Sequence, residues 1–503
     1  MLDRLKKLHI GLLLTAASGL AMFMPIPLAV LAREWETARA FFYSGTILLI
    51  LCAMIAIALT GRTEAKPVRS QLLTLLAAFL FLPAILAVPF FESQSEARFF
   101  DCYFEMLSSL TTTGATIFDA AALNEAQHFW RAVVGWLGGF LFWISAIAIL
   151  APLSLGGFEI ISTDRTSGGF SQINTIAGSR ERMIRFAAIL FPIYLGLTLV
   201  LWFLLVVSGD TSFVAMCHAM AILATSGISP LSGLDEAGSG FGGEVFMALF
   251  LVFALSRRAF TREGLENRFA MLRGDAEIRL GLMIAIVVPC VIFLRHWVGA
   301  FEAQDANLLN ESLQAFWGGF FTVMSFLTTT GFESAHWESA RQWSGLETPG
   351  LILLGLAMIG GGVATTAGGV KLLRVYVLYR HAQRELERLV HPNSVGGSSR
   401  LDRNKRRQGA YLAWIFFMLF AFSVAAVMLA LAYTGIGFEP AVILTISALS
   451  TTGPLAAIAG DIPIFYSTLP DPTKIILMLA MVLGRLETLA NIRIIFVGSG
   501  NVE

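Results

Sequence analysis

The sequence predicts an all-α integral membrane protein: four pseudo-symmetric helix–loop–helix repeats, each loop re-entering the membrane, preceded by two extra N-terminal membrane helices. Three observations carry this expectation: many apolar stretches of bilayer length, four half-length apolar stretches that each end in a Ser/Thr-Gly element, and basic residues gathered in a few connections. Composition agrees. Of the 503 residues, 56% are hydrophobic and 14% charged, with a mean hydropathy of +0.72. Soluble domains carry about 25% charged residues, so a disordered chain and an ordinary cytosolic enzyme are excluded. The 35 basic and 35 acidic residues balance, and no global field recruits nucleic acid. The 46 glycines suit closely packed membrane helices. Cys52, Cys102, Cys217 and Cys290 stand singly, without metal-binding or redox spacing.

A membrane helix needs ~20 mostly apolar residues. The first candidate, 8–32, follows Arg4, Lys6 and Lys7 like a signal peptide. It is too long for a signal core and contains Pro25 and Pro27, so it reads as a retained span. Further spans are expected at 39–61, 70–91, 130–154, 183–208, 243–260, 278–299, 349–378, 409–434 and 472–498. That makes ten. The stretches near 100–113, 212–226, 312–330 and 438–452 are each about half a membrane thick and read as re-entrant.

Orientation supports this count. Basic clusters lie at Arg4/Lys6/Lys7, Arg62/Lys66/Arg69, Arg165/Arg180/Arg182/Arg185, from Arg257 to Arg279, and from Arg374 to Arg407. With ten full spans, all five fall on one side, which the positive-inside rule makes cytoplasmic. Both termini are then cytoplasmic and the half-length segments enter from outside. No connection is long enough for a soluble domain; the longest, 379–408, is a basic helix followed by a Gly/Ser turn. Any ligand-sensing domain must come from another chain.

The four half-length segments resemble one another. Their glycines, Gly114, Gly227, Gly331 and Gly453, lie 113, 104 and 122 residues apart. Each follows a hydroxyl pair: Thr112 and Thr113, Thr225 and Ser226, Thr329 and Thr330, Thr451 and Thr452. Non-helical backbone inside a membrane is tolerated where it is buried in protein or lines water. Four such loops around one axis can replace the hydration shell of a small cation with carbonyls and hydroxyls. A half-helix aiming its C-terminus at the membrane centre adds partial negative charge there. Domain boundaries follow: 1–69 for the two extra helices, then repeats at 70–182, 183–277, 278–408 and 409–503.

Two further features stand out. Gly360, Gly361, Gly362, Gly368 and Gly369 interrupt the span 349–378. Five glycines would cost a continuous helix ~5 kcal/mol relative to alanine, so a break is expected, with Thr365 and Thr366 free to face inward. Arg485 lies inside the last span, where a central arginine costs ~2.5–3.5 kcal/mol on insertion scales; it should face water, a partner or the axis. Glu487, two residues on, lies on another helix face. Lys371 is expected to snorkel to the cytoplasmic edge. Glu105 and Glu333 could make an outer vestibule attractive to cations, while Glu105 could equally hold its half-helix in place.

These elements, with the two extra N-terminal spans, the stretch Gly360 to Lys371, and Gly484-Arg485-Leu486-Glu487, resemble the Trk/Ktr/HKT superfamily of potassium transporters, in particular its TrkH-type subunits. The resemblance covers nearly the whole chain. It implies four pore-loop repeats around one permeation path in a bacterial inner membrane, a potassium ion held at the filter formed by the twelve residues Thr112 to Gly453 named above, and a gate formed by the Gly-rich stretch with Arg485. It further implies a homodimer and a cytosolic TrkA-type nucleotide-binding ring. Nucleotide would act only through that ring, and no covalent cofactor is expected. Sodium-permeable relatives replace the first filter glycine with serine; here all four are glycine. Pro454 and Ser226 depart from the pattern and bear on the strictness of selectivity. A less selective sodium/potassium or a proton-coupled transporter is the alternative reading. The basic loops 256–279 and 379–408 could dock the ring or contact anionic membrane lipids. An intramembrane enzyme would need a nucleophile–base pair, paired aspartates or HExxH, and the sequence offers none of these patterns. A carrier built of inverted repeats would have loops entering from both sides, whereas these enter from one.

Overall fold

The computed structural model describes residues 10–59, 68–94, 97–150, 179–256, 275–300, 308–344, 350–391, 400–460 and 462–486. All regular elements among the described residues are helical. The N-terminal part holds α1 (Ile10–Ala21), α2 (Ile26–Leu31) and α3 (Trp35–Ala58). The expected first span is one apolar path in two helical pieces: the chain turns after Ala21, and Pro25 and Pro27 start α2, where a missing N–H is harmless.

Four groups of helices follow. The first comprises α4 (Val68–Glu92), α5 (Phe99–Leu110) and α6 (Glu125–Ser145). The second comprises α7 (Ser179–Val207), α8 (Ser212–Ala224) and α9 (Gly240–Leu251). The third comprises α10 (Ala276–Ala300), α11 (Leu308–Leu327), α12 (Trp337–Ser344), α13 (Gly350–Ile359) and α14 (Leu372–Val390). The fourth comprises α15 (Arg400–Tyr433), α16 (Phe438–Leu449), α17 (Leu455–Ile458) and α18 (Asp471–Leu486). In every group a short helix ends at the Ser/Thr-Gly element and packs against the long helix before it.

Seven of the expected spans are helices long and apolar enough to cross a membrane. The other three are shorter. The span expected at 243–260 is α9 continued by a tighter turn to Leu255. The span expected at 349–378 is broken between α13 and α14. The last span is helical as α18 to Leu486, and its expected remainder lies outside the described residues.

Burial follows hydropathy pattern. Helix α6 is apolar on nearly all faces and is buried along almost its whole length, as a helix without a polar face must be. Asn124 and Gln127 cap its start reciprocally: Asn124 Oδ1 accepts the Gln127 N–H at 2.9 Å, and Gln127 Oε1 accepts the Asn124 N–H at 3.0 Å. By contrast α3 and α15 expose large apolar side chains such as Ile47, Met54, Phe422 and Leu429, as a lipid-facing surface would. Helix α18 packs back on α4 and α5, so the fourth group closes on the first. That closure carries charge: Arg98 bonds both Asp101 (2.8 Å) and Asp471 (3.0 Å), and Lys474 Nζ reaches Asp101 at 3.1 Å.

Asn124→Ala should remove one capping bond and the bond from Asn124 to the Thr37 hydroxyl. The expected loss is ~1 kcal/mol, read as a lower unfolding temperature in detergent, while Asn124→Ser should lose less.

Candidate functional site

The four Ser/Thr-Gly elements are built by one local device. Two residues before each glycine, the chain takes a left-handed conformation at Thr112, Thr225, Thr329 and Thr451, with φ of 55°, 50°, 57° and 55°. In each case this residue's N–H bonds the carbonyl three back: Thr112 to Ser109, Thr225 to Ile222, Thr329 to Phe326, Thr451 to Ala448. The next N–H reaches five back: Thr113 to Ser108, Ser226 to Ala221, Thr330 to Ser325, Thr452 to Ser447. This pair of bonds is the Schellman helix end. That motif usually places glycine at the left-handed position. Threonine there is strained by ~1–2 kcal/mol, so the motif retains a hydroxyl at the helix end against the backbone's preference.

The glycines that follow bring the loops together in a ring. A Cβ on Gly114 would overlap the Ser226 carbonyl oxygen, and one on Gly227 the Thr330 carbonyl oxygen. A Cβ on Gly331 would press on Pro454, and one on Gly453 would overlap Ala115 of the first loop. The Gly453 N–H also donates to the Thr113 carbonyl at 2.6 Å. Each loop thus abuts the next in chain order and the fourth closes on the first. Gly114, Gly227 and Gly331 have positive φ. Gly453 does not, because Pro454 restricts the residue before it and starts α17.

The hydroxyls are not equivalent. In three loops a second hydroxyl braces the residue before the glycine: Thr111 Oγ1 lies 2.8 Å from Thr113 Oγ1, Thr328 Oγ1 lies 3.1 Å from Thr330 Oγ1, and Ser450 Oγ lies 3.1 Å from Thr452 Oγ1. The second loop has Ala224 at that place, and Ser226 Oγ is buried without a hydrogen-bond partner among the described residues. Thr112 Oγ1 and Thr451 Oγ1 also lack partners there.

Side chains nine residues before the glycines reach forward to the returning chain. Glu105 accepts the Ile117 N–H at 3.0 Å and forms a 2.6 Å ion pair with Arg131. His218 meets Ser229 Oγ at 3.0 Å, and Thr322 Oγ1 accepts the Ser334 N–H at 3.2 Å. The fourth loop has Leu444 in this register, and Tyr466 instead donates to the Gly453 carbonyl at 3.0 Å. Of the two roles open to Glu105 in the sequence, the geometry is that of a strut. The side chain is 1% exposed and paired, so it does not face a vestibule. Glu333 lies on the returning chain just beyond Gly331, half-buried.

The Gly-rich stretch between α13 and α14 is not helical, and it lies directly against the ring. The Gly368 N–H donates to Thr329 Oγ1 at 2.7 Å, and Thr366 Oγ1 donates to the Leu223 carbonyl at 3.2 Å. Gly368 has no room for a Cβ beside the Ser450 carbonyl and Thr451 Oγ1. Gly360 and Gly369 have positive φ and back onto each other. The Gly361 carbonyl accepts the Leu372 N–H at 3.0 Å, and the Gly362 N–H bonds Ala254 at 3.0 Å. Thr365 Oγ1 donates to the Gly362 carbonyl at 2.8 Å, within the stretch. Arg485, 2% exposed, donates to the Thr366 carbonyl at 2.5 Å and lies over the Phe142 ring at 4.0 Å. Lys371 does not snorkel to the cytoplasmic edge. It is 2% exposed and its Nζ donates to the Ala367 carbonyl, because the turn at its positive φ directs the chain inward. Glu487 lies outside the described residues.

Two carboxylates were not singled out by the sequence pattern. Glu244 on α9 accepts from Trp317 Nε1 (2.7 Å), Ser334 Oγ (2.8 Å) and the Ala335 N–H (2.7 Å), tying the second group to the third loop. Glu277 accepts the Val363 N–H at 2.9 Å and fixes the Gly-rich stretch. The available signal was a lone carboxylate on or beside an apolar helix, which is costly unless partnered.

A bundle of membrane-crossing helices in which four Ser/Thr-Gly loops close into one ring is the architecture of a multi-pass membrane protein. The C-terminal part, residues 277–501, matches the family model for TrkH, described as a cation transport protein. The chain is 30% identical over 497 residues to the Trk system potassium uptake protein TrkH of Escherichia coli K12, covering 95% of each chain. It is 28% identical over 491 residues to the potassium uptake protein TrkI of Halomonas elongata, covering 93% of this chain and 92% of that one. The crystal structure of the potassium transporter TrkH from Vibrio parahaemolyticus superposes with a TM-score of 0.80 at 25% identity, covering 98% of both chains. The chain belongs to the TrkH family, a family of transporters and not of enzymes.

Arg131→Ala should leave Glu105 buried and unpaired and destabilise the fold by ~3–5 kcal/mol. Combining it with Glu105→Gln should recover part of that loss. Thermal unfolding of the single and double variants measures both.

Proposed function

We propose that the chain is a potassium-selective conducting subunit for cellular potassium uptake. The ring of Gly114, Gly227, Gly331 and Gly453 dehydrates the ion, and the stretch 360–369 with Arg485 gates the path. The observation that carries this reading is the closed ring of four strained helix ends, in which the glycine of each loop abuts the next loop. The buried hydroxyls of Thr112, Thr451 and Ser226 have no protein partner among the described residues. Buried polar atoms need one, and a cation stripped of water is suited to that place. Stabilising the ion enough to dehydrate it, yet weakly enough to release it, is what four shared loops achieve. The membrane potential contributes ~2.3 kcal/mol per charge per 100 mV, so inward flow needs no coupling ion.

The gate reading rests on contact. The Gly-rich stretch touches the inner ends of three of the four loops, and Arg485 places a cation beside it. That charge raises the barrier to a resting cation current. As further parts of the proposal, both termini face the cytoplasm of a bacterial inner membrane and the chain works as a homodimer. A TrkA-type nucleotide-binding ring docks on the basic cytoplasmic face, where anionic membrane lipids compete. The similarity to proteins named potassium uptake proteins supports potassium as the ion.

Flux in proteoliposomes of the purified chain, with sodium as competitor, tests this. Rapid potassium flux that Gly331→Ala reduces, with potassium preference over sodium falling at least tenfold, is the expected result. Where wild type is silent, removing residues 360–369 should restore potassium flux; continued silence overturns the proposal.

Glu333 stands two residues beyond Gly331. Glu333→Gln should remove a carboxylate from beside the ring and reduce potassium entry at low ionic strength, measured as flux in the same proteoliposomes.

A further inference from the structure

Of the four left-handed threonines, Thr329 alone among the described residues accepts a hydrogen bond from the Gly-rich stretch, from the Gly368 N–H at 2.7 Å. Thr225 Oγ1 donates to the Ala224 carbonyl at 2.7 Å, and the Thr112 and Thr451 hydroxyls have no partner among the described residues. Thr329 lies in the turn that ends α11, at the left-handed residue two before Gly331. Its hydroxyl therefore belongs to a ring side chain bonded directly to the Gly-rich stretch.

Resting on the filter-and-gate reading above, we infer that the Thr329 hydroxyl is contested between the permeant cation and the Gly368 N–H. Cation occupancy at the inner end of the ring and docking of the stretch 360–371 therefore oppose each other. The chemistry is elementary. An N–H and a cation both present positive charge to an oxygen, and a hydroxyl has two lone pairs and one proton to share. A cation drawn to Thr329 Oγ1 polarises that oxygen away from Gly368 and repels the N–H dipole. A Cβ on Gly368 would overlap the Ser450 carbonyl oxygen and Thr451 Oγ1, so the stretch sits close against the fourth loop where it bonds the third. Other holds on the stretch include the bonds from Thr366 to Leu223, from Val363 to Glu277, from Gly362 to Ala254 and from Arg485 to Thr366, none of which uses the Thr329 hydroxyl. Coupling of this kind is reciprocal: whatever docks the stretch more firmly also weakens the innermost ion position by the same factor. External potassium would then favour opening of its own path, and a partner that pulls the stretch away would raise ion occupancy.

The test is backbone hydrogen exchange of the segment 360–371 in the purified full-length chain. It is measured in potassium chloride and in choline chloride at equal ionic strength and referenced to α3, which is remote from the ring. Potassium should speed exchange of this segment ~5-fold or more in the wild type and in Thr329→Ser, which keeps the hydroxyl. Thr329→Val should exchange rapidly in both salts. Equal exchange of the wild-type segment in the two salts overturns the inference, as does potassium dependence that survives in Thr329→Val or is lost in Thr329→Ser. The wild-type comparison decides even if the valine variant does not fold. Thermal unfolding in the same salts separates this from the parent reading. Absence of stabilisation by potassium over choline contradicts potassium binding itself, whereas stabilisation with an indifferent segment contradicts only the coupling.

Discussion

A threonine in the left-handed region at the end of each short helix is the constraint on which the rest of the structure depends. The conformation turns the chain back within one residue, so a half-length helix can end near the middle of the membrane with its last carbonyls bonded. Glycine would adopt it without strain. Threonine adopts it at a cost of ~1–2 kcal/mol per site, and the return on that cost is a buried hydroxyl at the point where four loops meet. Strain persists only where the surroundings over-determine it. Here the surroundings are the struts: Glu105 with Arg131, His218, Thr322 and Tyr466 each hold the outgoing chain against the helix it has just left.

Charge inside the bundle serves the same end. Glu105, Glu244 and Glu277 are buried carboxylates that accept backbone N–H groups from chain without secondary structure. Lys371 and Arg485 are buried cations that donate to carbonyls of the Gly-rich stretch. Irregular backbone in a membrane has orphan donors and acceptors that lipid cannot satisfy. A charged side chain makes the strongest single replacement for water, and the fold places one at the first loop, the third loop and the Gly-rich stretch. The same residues that allow the loops to exist also determine their position.

The fold was largely legible in the sequence, for physical reasons that can be named. Span length located the seven long apolar helices, and the recurrence of Ser/Thr-Gly located the loops, because a glycine that lets two loops touch has no substitute. The five glycines near 360–369 announced a break for the same reason. What stayed hidden was pairing. Glu105 and Arg131 are 26 positions apart on different helices, and Glu244 meets Ser334 across 90 positions. No periodicity links such residues. Lys371 was misjudged because snorkelling assumes a regular helix, whereas its backbone turns inward. The shared register of Glu105, His218 and Thr322, each nine residues before its glycine, was present in the sequence but masked by their different chemistry and by Leu444 in the fourth repeat.

The central claim is that the four loops form one cation site, and locating a heavy potassium analogue by anomalous scattering tests it most directly. Crystals of the purified chain soaked in rubidium or thallium salt should show a peak on the axis enclosed by Gly114, Gly227, Gly331 and Gly453, diminished when sodium is in excess only at far higher concentration. Absence of any peak within that ring, with ordered ions elsewhere in the bundle, would contradict the account.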